Sequence, residues 1–384
     1  MSRDQVYMAR ALKLARLGMY STSPNPRVGC ILVKDDEIIG EGWHQKAGEG
    51  HAEVNALRAA GDKAEGATAY VTLEPCSHFG RTPPCAQGLI NAKVARVVGA
   101  MTDPNPQVAG RGYSMLREAG IDVVESCLQD EAEAINIGFI QRMRSGLPYV
   151  RAKLAHSLDG RTAMASGESQ WITGAQARRD VQRLRARSCA IVTGVDSVLI
   201  DDPSMTVRPA ESGIQQEVRL WRQPLRVVID GENRLTAKAN LLKQPGDILI
   251  ATRSEPAIKP SRPAGSGALN YWVSPPTVNG KVDLNALVRY LGEQGNNEIL
   301  LESGARLTGA FAAQNLIDEL VLYCAPTLLG RSARPLLSLD FSEMKQQIRW
   351  HWEDVRMVGN DLRLTLTPEQ NDKTASVAEE ATEK

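Results

Sequence analysis

Four residues carry the strongest chemical signal in this chain of 384 residues: His51 and Glu53 in His51-Ala52-Glu53, Cys76 directly after Pro75, and Cys85. One imidazole and two thiols supply three metal ligands. That is the number a hydrolytic zinc site uses, leaving its fourth position for water. Glu53 adds a carboxylate that the metal does not need and that can carry a proton. Two structural readings compete with this one. The polar groups could be helix-start residues beside small buried cysteines. Alternatively, a closed structural zinc site could recruit His78 or His44 as a fourth ligand.

The elements that must position these groups can be read from periodicity and turn residues. An amphipathic helix over 4–18 and the rigid loop Ser23-Pro24-Asn25-Pro26 precede strands over 28–33 and 37–43. A helix from His51 to about 60, a strand over 69–73 and a helix beginning at Pro83-Pro84-Cys85 then deliver the four residues. Helix starts present unpaired N–H groups that favour a thiolate. A strand over 94–100, a helix over 111–119, a short strand over 121–124 and a helix over 131–144 complete a layered α/β domain. Gly146-Leu147-Pro148 reads as the boundary, after which strands and helices alternate again to a closing hairpin over 350–357 and 362–367. The expected organisation is 1–147, 148–367 and a polar tail over 368–384 that reads as disordered.

Bulk properties narrow the function classes. Forty-five basic residues balance forty-five acidic ones, so the basic excess typical of a nucleic-acid binder is missing. The six cysteines are scattered, unlike a secreted disulfide framework. The first residues lack a signal-peptide pattern, and no apolar run is long enough to span a bilayer. A cytoplasmic, membrane-free protein is expected.

The order His-x-Glu, Pro-Cys, Cys is that of zinc nucleobase deaminases. The gap between the two cysteines is longer here, filled by Ser77-His78-Phe79-Gly80-Arg81-Thr82-Pro83-Pro84. With Thr22-Ser-Pro-Asn25-Pro, Gly42-Trp-His44 and Asp103-Pro-Asn-Pro-Gln-Val-Ala-Gly-Arg-Gly112, the chain resembles the bifunctional deaminase–reductases of bacterial riboflavin biosynthesis. Lys153-Leu-Ala155, Ser157-Leu-Asp159-Gly-Arg161-Thr, Ser169-Gln-Trp171-Ile-Thr, Asp201-Asp-Pro, Thr206-Val-Arg208 and Glu302-Ser-Gly304 extend the resemblance to about residue 367.

The resemblance implies a cytidine-deaminase-like three-layer α/β/α domain followed by a dihydrofolate-reductase-like α/β domain. It implies zinc on His51, Cys76 and Cys85, with Glu53 as the proton carrier. Asn25, His44, His78 and Arg81 would bind the phosphoribosyl diaminopyrimidine, Arg81 standing where some relatives have Lys. In the second domain it implies NADPH on Ala155, Trp171, Ser197, Asp201 and the run Gly304, Ala305, Arg306, Leu307, Thr308, Gly309 and Ala310. Ser169, Arg185, Met205, Arg208 and Glu302 would hold the phosphosugar substrate, with Lys153 and Asp201 assisting ring opening. Apart from Arg185, the arginines over 177–187 read as a solvated face. The expected function is hydrolytic deamination of the pyrimidine, then reduction of its ribosyl group to ribityl, in a homo-oligomer that binds no nucleic acid. A zinc deaminase of nucleic-acid bases with an accessory binding domain is the alternative, and a non-enzymatic zinc-stabilised binding module a third reading.

Overall fold

The computed structural model describes residues 1–77, 84–106 and 109–369. It contains two compact units. The first joins Met1–Pro148 to the short segments Gln215–Arg222 and Arg289–Asn297, which the linear reading placed in the second domain. The second takes the rest of the chain from Tyr149.

In the first unit the elements are α1 (Arg3–Leu17), β1 (Gly29–Lys34), β2 (Glu37–Trp43), α2 (Ala52–Ala60), β3 (Thr68–Val71), α3 (Cys85–Asn91), β4 (Arg96–Gly99), α4 (Arg111–Glu118), β5 (Asp122–Val124), α5 (Gln129–Ile135) and α6 (Ile137–Ser145). The sheet order is β2-β1-β3-β4-β5. β2 and β1 run antiparallel, as do β1 and β3, whereas β3, β4 and β5 are parallel. Strand alternation decides the layers. Ile31 and Val33 point into a core built with α1, α5 and α6. Cys30 and Leu32 point into a second core built with α2, α3 and α4. The sheet is thus covered on both faces, as a three-layer domain requires.

Helix α2 lies unusually close to β2. A Cβ on Gly42 would stand 2.4 Å from the Ala52 carbonyl oxygen. Only glycine permits that approach, and it fixes the start of α2, where His51 and Glu53 sit. The expected helix over 131–144 is broken into α5 and α6 at Asn136 (φ −116°, ψ 22°). The Asn136 amide accepts from Arg27 N–H (2.8 Å) and donates to the Arg27 carbonyl (2.9 Å). This pairing takes the residue out of helical geometry, as short amide side chains do.

The second unit holds β6 (Tyr149–Ser157), β7 (Arg161–Ala163), α7 (Ala175–Arg187), β8 (Ala190–Gly194), α8 (Val195–Asp201), β9 (Leu225–Ile229), β10 (Ile248–Thr252), β11 (Leu269–Val273), β12 (Glu298–Leu301), a helix Ala305–Ala313, β13 (Glu319–Ala325), β14 (Arg334–Pro335), β15 (Trp350–Val358) and β16 (Asp361–Pro368). The large sheet runs β11-β10-β9-β8-β12-β6-β13-β16-β15. It is parallel from β11 through β13, and the closing hairpin adds two antiparallel strands. Its central strands are near-continuous apolar runs with fully buried Ile191, Val192, Leu300, Leu301 and Val321, the pattern of a parallel sheet covered on both faces. Pro368, expected to open the tail, ends β16 opposite Trp350; residues 370–384 lie outside those described. Open parallel sheets bind ligands beyond the carboxyl ends of their strands. Glu302, directly after β12, and the turn from β8 into α8 lie there, while Lys153 points from within β6.

Candidate functional site

His51 is the N-cap residue of α2, and its side chain makes no capping bond. The imidazole is therefore free to face elsewhere. Cys85 opens α3. The Nδ1 of His51 lies 3.3 Å from Cys85 Sγ and 3.7 Å from Cys76 Sγ, and the Cys85 N–H donates to Cys76 Sγ at 3.3 Å. The three ligand atoms fall within 4.8 Å of one another, and no further His, Cys, Asp or Glu joins the cluster among the described residues. One nitrogen and two sulfurs fit zinc with a position left open. The Cys76 thiol is held well below the usual range, first by the hydrogen bond from Cys85 and then by His51, which suits a metal ligand.

Glu53, in the first turn of α2, is buried beside the cluster, with Cys85 within hydrogen-bond reach. Burial pushes its carboxyl up to about 7, against the opposing pull of His51. A carboxyl poised near neutrality can take and return a proton.

His44 is 2% exposed, and both ring nitrogens are engaged. Nδ1 faces the Gly50 carbonyl oxygen and Nε2 faces Asn25 Nδ2, each at 3.1 Å. A carbonyl only accepts, so Nδ1 carries the proton. Burial lowers the ring's pKa and keeps it neutral, so Nε2 accepts from the Asn25 amide. With both nitrogens spent, His44 is no fourth metal ligand. His78 and Arg81 lie outside the described residues.

Glu74, two residues before Cys76, has a visible task. The buried Glu74 carboxylate accepts the N–H groups of Asp103 (3.0 Å), Gly110 (2.9 Å) and Gly112 (2.7 Å). It ties a distant loop to the segment that delivers Cys76. Nothing in the local sequence announces those three donors.

The second unit contains a cavity of about 950 Å³. Lys153, Ala155, Ser169, Trp171, Arg185, Ser197, Asp201, Met205, Glu302 and the run Gly304 to Leu307 all line it. Thr308, Gly309 and Ala310 do not. Thr308 is fully buried, and a Cβ on Gly309 would stand 2.2 Å from the Ser338 carbonyl oxygen, so these two positions pack the helix rather than face a ligand. Arg208 borders a separate recess and pairs with Glu211 at 2.9 Å.

Inside the cavity, one ion pair is already made. Arg185 grips Glu302 through two bonds of 2.6 and 2.9 Å and donates to the Thr206 carbonyl at 3.2 Å. Burial would raise the Glu302 carboxyl, but Arg185, with Lys153 and Arg208, holds it below its ordinary value. Burial lowers the Lys153 ammonium pKa, while Glu302 opposes that shift. Burial raises Asp201, with Ser169 Oγ donating to it at 3.4 Å. Ser197 stands near the phosphate-ready helix start, its Oγ 3.9 Å from where a Gly304 Cβ would be.

The RibD C-terminal domain matches residues 148–364, and the cytidine and deoxycytidylate deaminase zinc-binding region matches residues 1–101. The riboflavin biosynthesis protein RibD of Escherichia coli is 52% identical over 369 residues, covering 95% of this chain and 99% of that protein. The chain belongs to the RibD family. The solved structure of Acinetobacter baumannii RibD superposes with a TM-score of 0.87 at 48% identity, covering 96% of this chain and 99% of that one. A Thermotoga maritima diaminohydroxyphosphoribosylaminopyrimidine deaminase/5-amino-6-(5-phosphoribosylamino)uracil reductase gives 0.83 at 29% identity, covering 95% and 99%. The chain is a bifunctional enzyme of riboflavin biosynthesis, with a zinc-dependent deaminase and an NADPH-dependent reductase. Membership in the RibD family favours this reading over a nucleic-acid base deaminase. No described helix is long and apolar enough to cross a membrane.

Proposed function

We propose that residues 1–147 deaminate 2,5-diamino-6-(5-phosphoribosylamino)pyrimidin-4(3H)-one and that residues 148–367 then reduce its ribosyl group to ribityl. The observation that carries the first step is the convergence of His51, Cys76 and Cys85 beside the buried Glu53 carboxyl. His51, Cys76 and Cys85 would hold the zinc, whose chemistry is to make water acidic enough to act as a nucleophile near neutral pH. Glu53 takes the proton from that water and returns it to the departing ammonia. Asn25, oriented by His44, presents its amide to the pyrimidine or its sugar; His78 and Arg81 serve the ribose phosphate.

When bound, NADPH would supply the hydride. The N–H groups at the start of the helix Ala305–Ala313 would receive cofactor phosphate, and Ala155, Trp171, Ser197 and Asp201 would shape the rest of the cofactor site. Arg185 and Glu302 form a rigid ion pair that orients the sugar between Ser169 and Met205. Arg208 serves the substrate phosphate from its own recess. Lys153, held beside Glu302, delivers a proton to the sugar oxygen as the ring opens.

Removing one group tests the assignment. Glu53→Ala should lower ammonia release by about a hundredfold or more, leave zinc bound, and leave NADPH oxidation with the deaminated substrate unchanged. Normal ammonia release from this variant sinks the mechanism.

The protein acts as a homo-oligomer on this reading. The outer face of β15 leaves Trp352, Val355 and Met357 more than half exposed, as a sheet awaiting a second copy would. Light scattering that returns a monomer mass overturns this point. Six free cysteines fit a cytoplasmic setting.

A further inference from the structure

Trp171 is 67% exposed at the wall of the reductase cavity. A large aromatic surface left in water at a cavity mouth needs something to hold it in place. Arg178 does so: its guanidinium carbon lies 4.5 Å from the centre of the Trp171 ring. The same guanidinium donates through Nη1 to the Thr173 carbonyl at 2.7 Å. The guanidinium is thus anchored through one nitrogen and lies over the indole ring.

The position of Arg178 in its helix makes this contact informative. It stands in the first turn of α7, where its N–H bonds to the Gly174 carbonyl. A cation in a helix's first turn sits at the electrostatically disfavoured end. The Thr173 carbonyl and the indole face offset that cost. The helix start is itself fixed, because the Gly174 N–H donates to the buried Asp361 carboxylate at 2.7 Å. A rigid chain of contacts therefore runs from β16 through α7 to the Trp171 ring.

We propose that Arg178 is a positioning residue of the reductase, clamping Trp171 as a platform on which a flat heteroaromatic ring of the dinucleotide packs. The inference rests on the reading that Trp171 belongs to the cofactor site. One face of the indole is covered by the cation, and the ring lines a cavity large enough for a dinucleotide. Pre-orienting an exposed aromatic lowers the ordering cost of binding, so the effect belongs in cofactor affinity rather than in hydride transfer.

The experiment uses the full-length enzyme with NADPH and the deaminated substrate. Arg178→Ala should raise the KM for NADPH about five- to tenfold, the size of a partly desolvated cation–aromatic contact, with kcat changed less than about twofold. Quenching of Trp171 emission by NADPH, taken as the difference from Trp171→Phe, should fall in parallel. Arg178→Lys keeps the charge but loses the planar stack and its anchored edge, so it should behave like the alanine variant. If lysine restores the KM, Arg178 acts as a charge on cofactor phosphate and the positioning role is overturned. An unchanged NADPH KM in Arg178→Ala, or a lowered melting temperature with no change in KM, overturns it too. Trp171→Phe with a wild-type NADPH KM instead removes Trp171 from the cofactor site, a failure of the underlying reading that the arginine variants leave separate.

Discussion

In the first unit, His51, Cys76 and Cys85 turn their donor atoms toward one point. In the second, Arg185 and Glu302 have already found each other through two short bonds, and the same carboxylate acts electrostatically on Lys153. The two regions face opposite problems. The deaminase centre must keep donors unspent for an ion that completes it, so burial, not pairing, sets the state of Glu53. The reductase cavity must receive a large charged cofactor while charges of its own stay out of water, and the Arg185–Glu302 pair is neutralised in advance. Unpaired buried charges cost several kcal/mol, whereas paired ones are tolerated.

The largest expected effect breaks the first arrangement alone. Cys76→Ser removes one thiolate and weakens the ligand set. Zinc in the purified protein should fall from about one per chain to a small fraction, and ammonia release should drop by about a thousandfold or more, since the acidity that activates water goes with the ion. The reductase should be untouched, because none of the residues of its cavity belongs to the metal cluster. Metal analysis and the two assays on one preparation give the answer. Parallel loss of both activities would mean that the zinc site supports the whole fold.

The two sites also differ in how openly the sequence announces them. The metal trio was legible because its chemistry demands particular residue types, and the helices that carry His51 and Cys85 follow from local signals: Gly61 ending α2 and Pro84 before α3. The reductase cavity was legible only through family resemblance. Ser197 and Asp201 ride on α8, a helix not foreseen after the strand ending near 193, because a short β-branched and acidic segment has weak helix propensity. Arg178 read as one of several solvated arginines, and only the contact with Trp171 separates it from its neighbours. The task of Glu74 depends on N–H groups some thirty residues later in the chain. Asn136 breaks a helix through a bond to Arg27, far back in the chain. Long-range partners of this kind leave no periodic trace.

A smaller effect should come from unbalancing the second region. Glu302→Gln keeps the shape but removes the charge that Arg185 and Lys153 both face. Losing a charge-assisted bidentate pair should lower reductase kcat/KM by about ten- to a hundredfold, with deamination unchanged. The pH profile adds a sign. Burial already depresses the Lys153 pKa, and Glu302 pulls it back up. Without Glu302 the ammonium is lost at lower pH, so the alkaline limb of the reductase profile should move toward acid. A profile that stays in place would remove Lys153 from proton delivery.

The smallest effect sharpens the first region, and it turns on one hydrogen atom. The Gly50 carbonyl fixes the proton on His44 Nδ1, so His44 Nε2 must accept from the Asn25 amide nitrogen. The amide oxygen of Asn25 is then the atom left for the substrate, and it reads donors such as an exocyclic amine or a hydroxyl. Asn25→Ala removes that acceptor and should raise the deaminase KM about tenfold, the scale of one lost neutral hydrogen bond at a buried site. Asn25→Asp keeps an oxygen in the same place. It forces His44 to take up a proton, or leaves two acceptors facing each other, so recovery should be partial: a KM about threefold above wild type. Ammonia release against substrate concentration measures both variants. If aspartate is as poor as alanine, Asn25 offers its NH₂ to the substrate instead, and the hydrogen-bond order from Gly50 through His44 to Asn25 does not set what this site selects.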